Sequence, residues 1–302
     1  MDKKYNTPTI ITIFGATGDL SKRKLLPALF DLYEKNLLPD TFYLVGFART
    51  SLTDRAFRDE VRGYICSRSM GCSEKIDSFL EHMVYHTGDV TEPICYGELS
   101  EKLIALEDVI GQCVNKAFYL SVSPLFYETI FKNLAESGLT IPCSNEAGWT
   151  RILVEKPFGN DIKTAQELDA TLGLLFKEEQ IFRIDHYLGK NALQDILSFR
   201  FSNSVFEPLW NNAHIEKVEI TLRETLGMEG RGGFYDCIGA LRDVGQNHIL
   251  QMLALIAMDS PQHLSAQEIR KERAKVLRSL QQMSSGAIID DIVRGQYKTY
   301  RL

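Results

Sequence analysis

The sequence lacks the features that mark metal-cluster, membrane-spanning and nucleic-acid-binding proteins. Its six cysteines form no Cys-x-x-Cys pair and no metal-like spacing with histidine, so we expect reduced thiols and no metal site. No run approaches the roughly eighteen apolar residues of a transmembrane helix, and the first residues carry no apolar signal-peptide core. A net charge of −6 argues against nucleic acid as a partner. We therefore expect a soluble cytoplasmic protein whose local basic residues bind something small and anionic.

The first part of the chain predicts a parallel α/β domain that binds a phosphate. Thr9–Phe14 is a compact β-branched run, typical of a strand buried on both faces. It leads into a turn containing Gly15 and Gly18 and then into a helical pattern. This arrangement aims backbone N–H groups at a phosphate. A tight connection without a ligand would look the same, and Ile13 stands where the first glycine of GxGxxG would be.

The end of the second predicted strand indicates which dinucleotide is bound. Phe42–Ala48 is followed by Arg49 and two hydroxyl residues, and residues 44–52 contain no Asp or Glu. An acidic residue at this place would hold the ribose 2′-hydroxyl of NAD, whereas a guanidinium matches the 2′-phosphate of NADP. The alternative is an ordinary surface arginine at a strand end. The sequence favours NADP as the cofactor.

A lysine ends a further predicted strand, Arg151–Glu155. Lys156 precedes Pro157, so its backbone is extended and its side chain projects from the carboxyl end of the strand. Ligands lie at that edge in open α/β sheets. A Lys-Pro turn without a function would have the same sequence. Strands and helices alternate as far as about residue 180, and we assign residues 1–180 to a doubly wound Rossmann-like domain.

Beyond residue 180 the pattern indicates a second domain. A chain of 302 residues is long for a single hydrophobic core. Ile215–Leu222 alternates apolar and polar residues, which predicts a half-buried strand of an antiparallel sheet. Helical spacing occurs on both sides of this strand. We therefore assign residues 181–302 to a substrate-binding and catalytic α+β domain.

Two polar clusters in this second part predict an active site. Residues 183–190 (RIDHYLGK) contain an acid, an imidazole, a phenol and an ammonium group, and residues 242–248 (RDVGQNH) open an otherwise apolar helix. His248 is the candidate base, because imidazole titrates near neutral pH, and Asp185 is the candidate partner that orients it. The alternatives are a helix start that Asp185 caps and a histidine that only fills the core.

These motifs resemble those of one enzyme family. RIDHYLGK, RETLGMEGRGG and RDVGQNH occur in the order and at the spacing of the glucose-6-phosphate dehydrogenase family, and GATGDLSKRK, GFART and EKPFG match it as well. The resemblance covers nearly the whole chain as far as residue 297. It implies an NADP-dependent dehydrogenase that oxidises D-glucose 6-phosphate at C1 to 6-phospho-D-glucono-1,5-lactone, the first step of the oxidative pentose phosphate pathway. This reaction needs no metal.

The turn that contains Gly15 and Gly18 and the family resemblance together imply which residues form the sites. Beside the catalytic pair Asp185 and His248, the residues placed against the substrate are His186, Tyr187, Lys190, Glu224, Asp243 and Lys156. His186 and Tyr187 hold the phosphate. Lys190, Glu224 and Asp243 contact sugar hydroxyls, and Lys156 bridges to the cofactor side. The residues placed against NADP are Gly15, Ala16, Thr17, Gly18, Asp19, Leu20, Arg49, Asp89, Val90, Tyr127 and Lys156. A single aromatic such as Tyr127 is more often part of a core.

Chains of this family are longer, and a large antiparallel sheet forms their second domain. We therefore expect the α+β domain here to be incomplete at its C-terminus, with aggregation and poor turnover as consequences. The family is homo-oligomeric, and we expect the sheet that would carry its interface to be largely missing. The alternatives are a catalytically weak or inactive NADP-binding fragment and another NADP-dependent sugar oxidoreductase.

Overall fold

The computed structural model describes residues 7–68, 74–143, 148–159, 161–223, 227 and 232–297. The chain forms two units, Met1–Ile184 and Asp185–Leu302, each with its own internal packing. The boundary predicted at residue 180 lies just before the last strand of the first unit. None of the described helices is both long and apolar enough to cross a lipid bilayer.

The first unit is built on a six-stranded sheet in the order β3-β2-β1-β4-β5-β6. The strands are β1 Thr9–Phe14, β2 Phe42–Ala48, β3 Met83–Thr87, β4 Asn115–Leu120, β5 Thr150–Val154 and β6 Ile181–Arg183. Every neighbouring pair of strands is parallel. This is the strand order of a doubly wound dinucleotide-binding sheet. The strands β2 and β3 are added on one side of β1, and β4, β5 and β6 are added on the other. The predicted Rossmann-like domain is confirmed.

Helices cover both faces of this sheet, which explains why the strands β1 and β2 are buried at nearly every position. The helices are α1 Leu26–Glu34, α2 Asp54–Arg68, α3 Ile76–Glu81, α4 Ile94–Ile110, α5 Tyr127–Glu136 and α6 Ile162–Leu175. Because side chains alternate along a strand, Phe14 belongs to the buried cluster that includes residues of α4, α5 and α6, and Ile13 belongs to the cluster that includes residues of α1, α2 and α3. Neither side chain reaches the solvent.

A disulfide joins Cys113 and Cys143 in the segments that precede β4 and β5. Their Cα atoms lie 5.8 Å apart, within the range that a disulfide requires. Cys66 is also disulfide-bonded, whereas Cys95 is a free thiol. The expectation of reduced cysteines throughout is therefore wrong. Spacing along the chain could not reveal this pair, because the parallel register of β4 and β5 brings the two cysteines together.

The described part of the second unit is helical. Its helices are α7 Asn191–Phe201, α8 Gly232–Ala240, α9 Leu250–Ala257, α10 Ala266–Ser279 and α11 Ser285–Asp291, and a π-helical segment, Leu241–Ile249, joins α8 to α9. Leu193, Leu255 and Met258 form its buried centre. The buried guanidinium of Arg200 donates hydrogen bonds to the carbonyl oxygens of Leu255 (2.8 Å) and Met258 (2.7 Å), which ties α7 to the end of α9.

The strand predicted at Ile215–Leu222 is absent from the structure. These residues have no regular secondary structure, and Val218, expected on the apolar face, is 43% exposed. A strand requires hydrogen bonds to a neighbouring strand. The residues of the second unit that the structure describes contain no strand that could pair with this segment. The prediction of an antiparallel sheet from the alternation alone is therefore wrong for the described residues.

We expect the Cys113–Cys143 disulfide to stabilise the first unit by about 3–4 kcal/mol, the chain-entropy value for a loop of this length. Cys143→Ser should lower the free energy of unfolding by up to that amount. Denaturant titration followed by Trp149 fluorescence measures it in a Trp210→Phe background, which leaves one tryptophan. Cys95→Ser is the control. Identical unfolding midpoints for the two serine variants would contradict a stabilising disulfide.

Candidate active site and cofactor site

The candidate active site of the second unit centres on a hydrogen bond between Asp185 and His248. The imidazole Nδ1 lies 2.6 Å from Asp185 Oδ1. The His248 side chain is 3% exposed and the Asp185 side chain 11%, so solvent screens this pair poorly. Because Nδ1 donates to the carboxylate, the network assigns the free lone pair of a neutral ring to Nε2. Such an imidazole can accept a proton, and the carboxylate can stabilise the resulting cation.

Two irregular segments position this pair. Asp185 begins a tight turn, and its Oδ1 also accepts the backbone N–H of Tyr187 at 3.0 Å, which fixes the carboxylate. His248 lies near the end of the π-helical segment, whose last residues pass directly into α9. Asp185 therefore does not cap a helix, since α7 starts only at Asn191. π-helical turns occur frequently at functional sites.

Three further predicted residues surround the pair. The Tyr187 ring stacks on the His248 ring at 4.0 Å between centroids and 15° between planes. The His186 ring meets His248 edge-on at 4.8 Å. Lys190 Nζ lies 3.5 Å from the centre of the Tyr187 ring, a cation–π contact. Because His186 and Lys190 are exposed, this side of the cluster is open to a ligand.

Two other predicted substrate residues have different outcomes. Asp243 is half-buried and lies five residues before His248 in the π-helical segment. Because π-helical hydrogen bonds join residues five apart, the two side chains are one turn from each other. Asn247 supports this turn by donating to the carbonyl oxygen of Arg242 at 2.9 Å. Glu224 lies outside the described residues.

Arg273 of α10 is a charged group near this site that the sequence interpretation missed. Burial lowers the pKa of its guanidinium, the carboxylate of Asp185 raises it, and Arg270 lowers it further. Its Nε has no hydrogen-bond partner in the part of the chain that the structure describes. Ile269 and Val276 pack against the buried centre of this unit. Arg273 lies four residues after Ile269 and three before Val276, so the three side chains share one face of the helix. This spacing was the signal that the sequence offered.

In the first unit, the turn after β1 has the geometry of a phosphate site. Gly15 has a φ of +80°, and a Cβ there would lie 2.3 Å from the carbonyl oxygen of Ser121, so only glycine fits. The N–H groups of Gly15 and Ala16 donate to Phe47 O, and that of Gly18 donates to Gly15 O. This leaves the N–H groups of Thr17, Asp19 and Leu20 as the candidates for a phosphate. These residues precede a short π-helical turn, Ser21–Leu25, that leads into α1.

Arg49 and Asp89 lie at the ends of two neighbouring strands, β2 and β3. Arg49 is exposed. Hydrogen bonds from the backbone and hydroxyl of Thr91 lower the pKa of Asp89, and the charge of Arg49 lowers it further. Arg49 is therefore close enough to Asp89 for their charges to interact. Val90, the next predicted residue, is buried, and its carbonyl oxygen accepts the Tyr96 hydroxyl at 2.8 Å.

Lys156 follows β5 in a turn that the half-buried Tyr119 and the buried Tyr127 support. The Lys156-Pro157 peptide bond is cis. The Tyr119 hydroxyl donates to the Glu155 carboxylate at 2.6 Å, and the Tyr127 hydroxyl donates to the Glu155 carbonyl oxygen at 3.0 Å. Burial raises the pKa of both phenols. Tyr127 is 1% exposed, so its observed role is to hold this turn; its contact with a cofactor stays a prediction.

Comparison with known proteins identifies both units. The family model described as glucose-6-phosphate dehydrogenase, NAD binding domain, matches residues 12–195, and the C-terminal domain model of the same family matches residues 197–301. Glucose-6-phosphate 1-dehydrogenase of Bacillus subtilis is 44% identical over 98% of this chain and 59% of its own length. The chloroplastic enzyme of Solanum tuberosum is 42% identical over 97% of this chain and 49% of its own length.

Solved structures agree with these matches. A glucose-6-phosphate dehydrogenase in complex with its substrate glucose-6-phosphate is 37% identical, with a TM-score of 0.83, over 92% of this chain and 57% of that one. Glucose-6-phosphate 1-dehydrogenase from Mycobacterium avium is 34% identical, with a TM-score of 0.79, over 90% of this chain and 57% of that one. The chain thus spans about half to three fifths of the length of the relatives it matches.

The donor geometry of His248 predicts a strongly deshielded imidazole proton. We expect a far-downfield ¹H resonance from Nδ1–H, because this proton lies in a 2.6 Å hydrogen bond to a carboxylate. Asp185→Ala should remove the resonance, and the exposed His263→Gln should leave it unchanged. Proton NMR of the three proteins with ¹⁵N-labelled histidine measures this. A resonance that persists in Asp185→Ala would show that another group accepts from His248.

Proposed function

Because the chain belongs to the glucose-6-phosphate dehydrogenase family, we propose that it oxidises D-glucose 6-phosphate at C1 with hydride transfer to NADP. The product is 6-phospho-D-glucono-1,5-lactone, which makes this the first step of the oxidative pentose phosphate pathway. The observation that carries the proposal is the hydrogen-bonded pair of Asp185 and His248.

The pair supplies what the reaction needs at the sugar hydroxyl. Oxidation of C1 removes a proton from its oxygen and a hydride from its carbon. His248 Nε2 accepts the proton, because Nδ1 is engaged by Asp185. Asp185 orients the ring and stabilises the imidazolium that forms. NADP, when bound, supplies the hydride acceptor.

The residues beside the pair are suited to a phosphorylated sugar. We assign the phosphate to His186 and Tyr187, whose rings pack around His248. Lys190 and Asp243 have the hydrogen-bonding groups to hold sugar hydroxyls. Glu224 joins them by family resemblance alone. Lys190 adds a positive charge close to Tyr187, which favours an anionic substrate.

The first unit provides the features that a dinucleotide requires. Gly15 and Gly18 give the turn after β1 two positions without side chains, and we propose that Thr17, Asp19 and Leu20 donate their N–H groups to phosphate. The remaining cofactor residues of the proposal are Ala16, Arg49, Asp89, Val90, Tyr127 and Lys156. An exposed Arg49 at the end of β2 supports NADP rather than NAD. The negative charge of the nearby Asp89 carboxylate offsets part of the positive charge of Arg49, which weakens the preference for the 2′-phosphate.

The remaining parts of the proposal concern location and partners. The expected partner is a small molecule, glucose 6-phosphate, and association with further copies of the chain follows from the family alone. We also propose a cytoplasmic location. The names of the relatives differ on this point, since one Arabidopsis thaliana enzyme is named cytoplasmic and others chloroplastic. Cell fractionation with an antibody to the chain tests the location.

We expect His248→Asn to lower kcat by roughly 10²–10⁴, the usual contribution of a positioned base. Binding of glucose 6-phosphate should persist, because asparagine keeps much of the side-chain volume. Asp185→Asn should lower kcat less, since Asp185 orients the base without accepting the proton. NADPH formation at 340 nm measures turnover, and calorimetry measures sugar-phosphate binding.

His263→Asn is the matched control, because this histidine is exposed in the same unit. Unphosphorylated glucose serves as the second substrate and distinguishes this reaction from that of another NADP-dependent sugar oxidoreductase. A His248→Asn protein with near-normal kcat would overturn the assignment of the base. Wild-type protein that binds NADP but oxidises neither sugar would refute the proposed activity for this chain.

Cofactor choice should depend on Arg49. We expect Arg49→Ala to weaken NADP binding by about 1.5–3 kcal/mol, the value for a hydrogen bond to a charged group, and to leave NAD binding almost unchanged. Titration of both dinucleotides against protein fluorescence measures this. Arg55→Ala, an exposed arginine two residues into α2, is the control. Equal loss for both cofactors in Arg49→Ala would mean that Arg49 does not read the 2′-phosphate.

A further inference from the structure

Three potential metal ligands meet at the centre of the second unit. Asp185, His186 and His248 each offer one ligand atom, and all three atoms lie within 4.8 Å of one another. One carboxylate and two imidazoles form a donor set that suits zinc and neighbouring transition metals. Magnesium and calcium instead prefer oxygen ligands alone. Because the donors come from two separate segments of the chain, no spacing motif reveals them.

The arrangement is partly organised for an ion in advance. The Asp185 carboxylate is fixed by the Tyr187 backbone N–H and by His248. The third ligand, His186, is exposed, so an ion can reach the cluster from solvent. Zinc–nitrogen and zinc–oxygen bonds of about 2.0–2.2 Å require neighbouring ligand atoms to lie farther apart than 2.6 Å. The Asp185–His248 pair therefore has to open slightly when an ion enters.

We propose that Asp185, His186 and His248 form an inhibitory site for Zn²⁺. If the ion bonds to His248 Nε2, it occupies the lone pair that would accept the substrate proton. If it bonds to Nδ1, the imidazole proton moves to Nε2, and that atom again cannot act as the base. In both cases the ion also removes His186 from the substrate phosphate. The binding rests on geometry alone, whereas the inhibition rests on the proposed function.

The charge of Arg273 limits the affinity of this site. Its guanidinium interacts electrostatically with Asp185 and repels a second cation. Opening the hydrogen bond between Asp185 and His248 to admit the ion also costs free energy. Both effects favour reversible occupancy that a chelator can empty, as befits an inhibitory ion. A structural zinc site would hold its ion far more tightly.

Titration with Co²⁺ tests the site without using activity, because cobalt replaces zinc and its visible absorption reports the ligand geometry. We expect wild-type protein to bind one equivalent of Co²⁺, with absorption typical of four-coordinate nitrogen and oxygen ligands, and excess Zn²⁺ to displace it. His186→Gln should weaken binding by at least roughly 10–100-fold, the loss caused by removing even an outer partner of a metal site. The exposed His263→Gln should bind like the wild type. The three proteins have the same cysteines, so binding of Co²⁺ by thiols cannot cause a difference between them.

The second arm measures NADPH formation with glucose 6-phosphate during Zn²⁺ addition. We expect inhibition that a chelator reverses, a loss of sensitivity in His186→Gln relative to its own metal-free rate, and no effect of Mg²⁺. Equal Co²⁺ affinity in wild type and His186→Gln would overturn the proposed site. Inhibition that is equally strong in both proteins would overturn its inhibitory role. A chain without turnover in the absence of metal would refute the proposed function, and the Co²⁺ arm would still decide the site.

Discussion

A buried hydrogen bond between a carboxylate and an imidazole is the constraint on which the second unit depends. Asp185 and His248 are almost withdrawn from water, and polar groups in such a place are costly unless they satisfy each other. The bond joins a turn to a π-helical segment from a distant part of the sequence. Tyr187 and Leu188 pack against the cluster that contains Leu255, so the same turn is anchored to α9.

The first unit organises its site in a different way, through backbone geometry. Gly15 lies so close to Ser121 that no larger residue fits, and this contact fixes the turn after β1 against the end of β4. The hydroxyl groups of Tyr119 and Tyr127 donate hydrogen bonds to Glu155 and so hold the turn after β5. Strand ends and helix starts therefore place the residues that can contact a nucleotide, and few of those residues need to be buried. Each unit thus supplies a separate part of the proposed chemistry.

The sequence predicted the first unit well and the second unit poorly, for physical reasons. β1 and β2 are buried on both faces, so their apolar runs allow little ambiguity. Alternation at Ile215–Leu222 describes a strand only if another strand pairs with it, and local sequence cannot supply that partner. The Asp185–His248 pair was inferred because two unusual polar clusters stood beside apolar segments. The π-helical register, the Cys113–Cys143 disulfide and Arg273 depend on tertiary contacts that no local pattern encodes.

Asp185 is proposed to act through His248, and a double-mutant cycle on kcat/KM tests this most directly. Wild type, Asp185→Asn, His248→Asn and the double variant are compared with glucose 6-phosphate and NADP. If Asp185 acts through His248, its substitution costs far less once His248 has been replaced. The coupling energy should then lie within about 0.5–3 kcal/mol, as for residues in direct contact. Additive losses, with Asp185→Asn equally damaging in both backgrounds, would contradict the account.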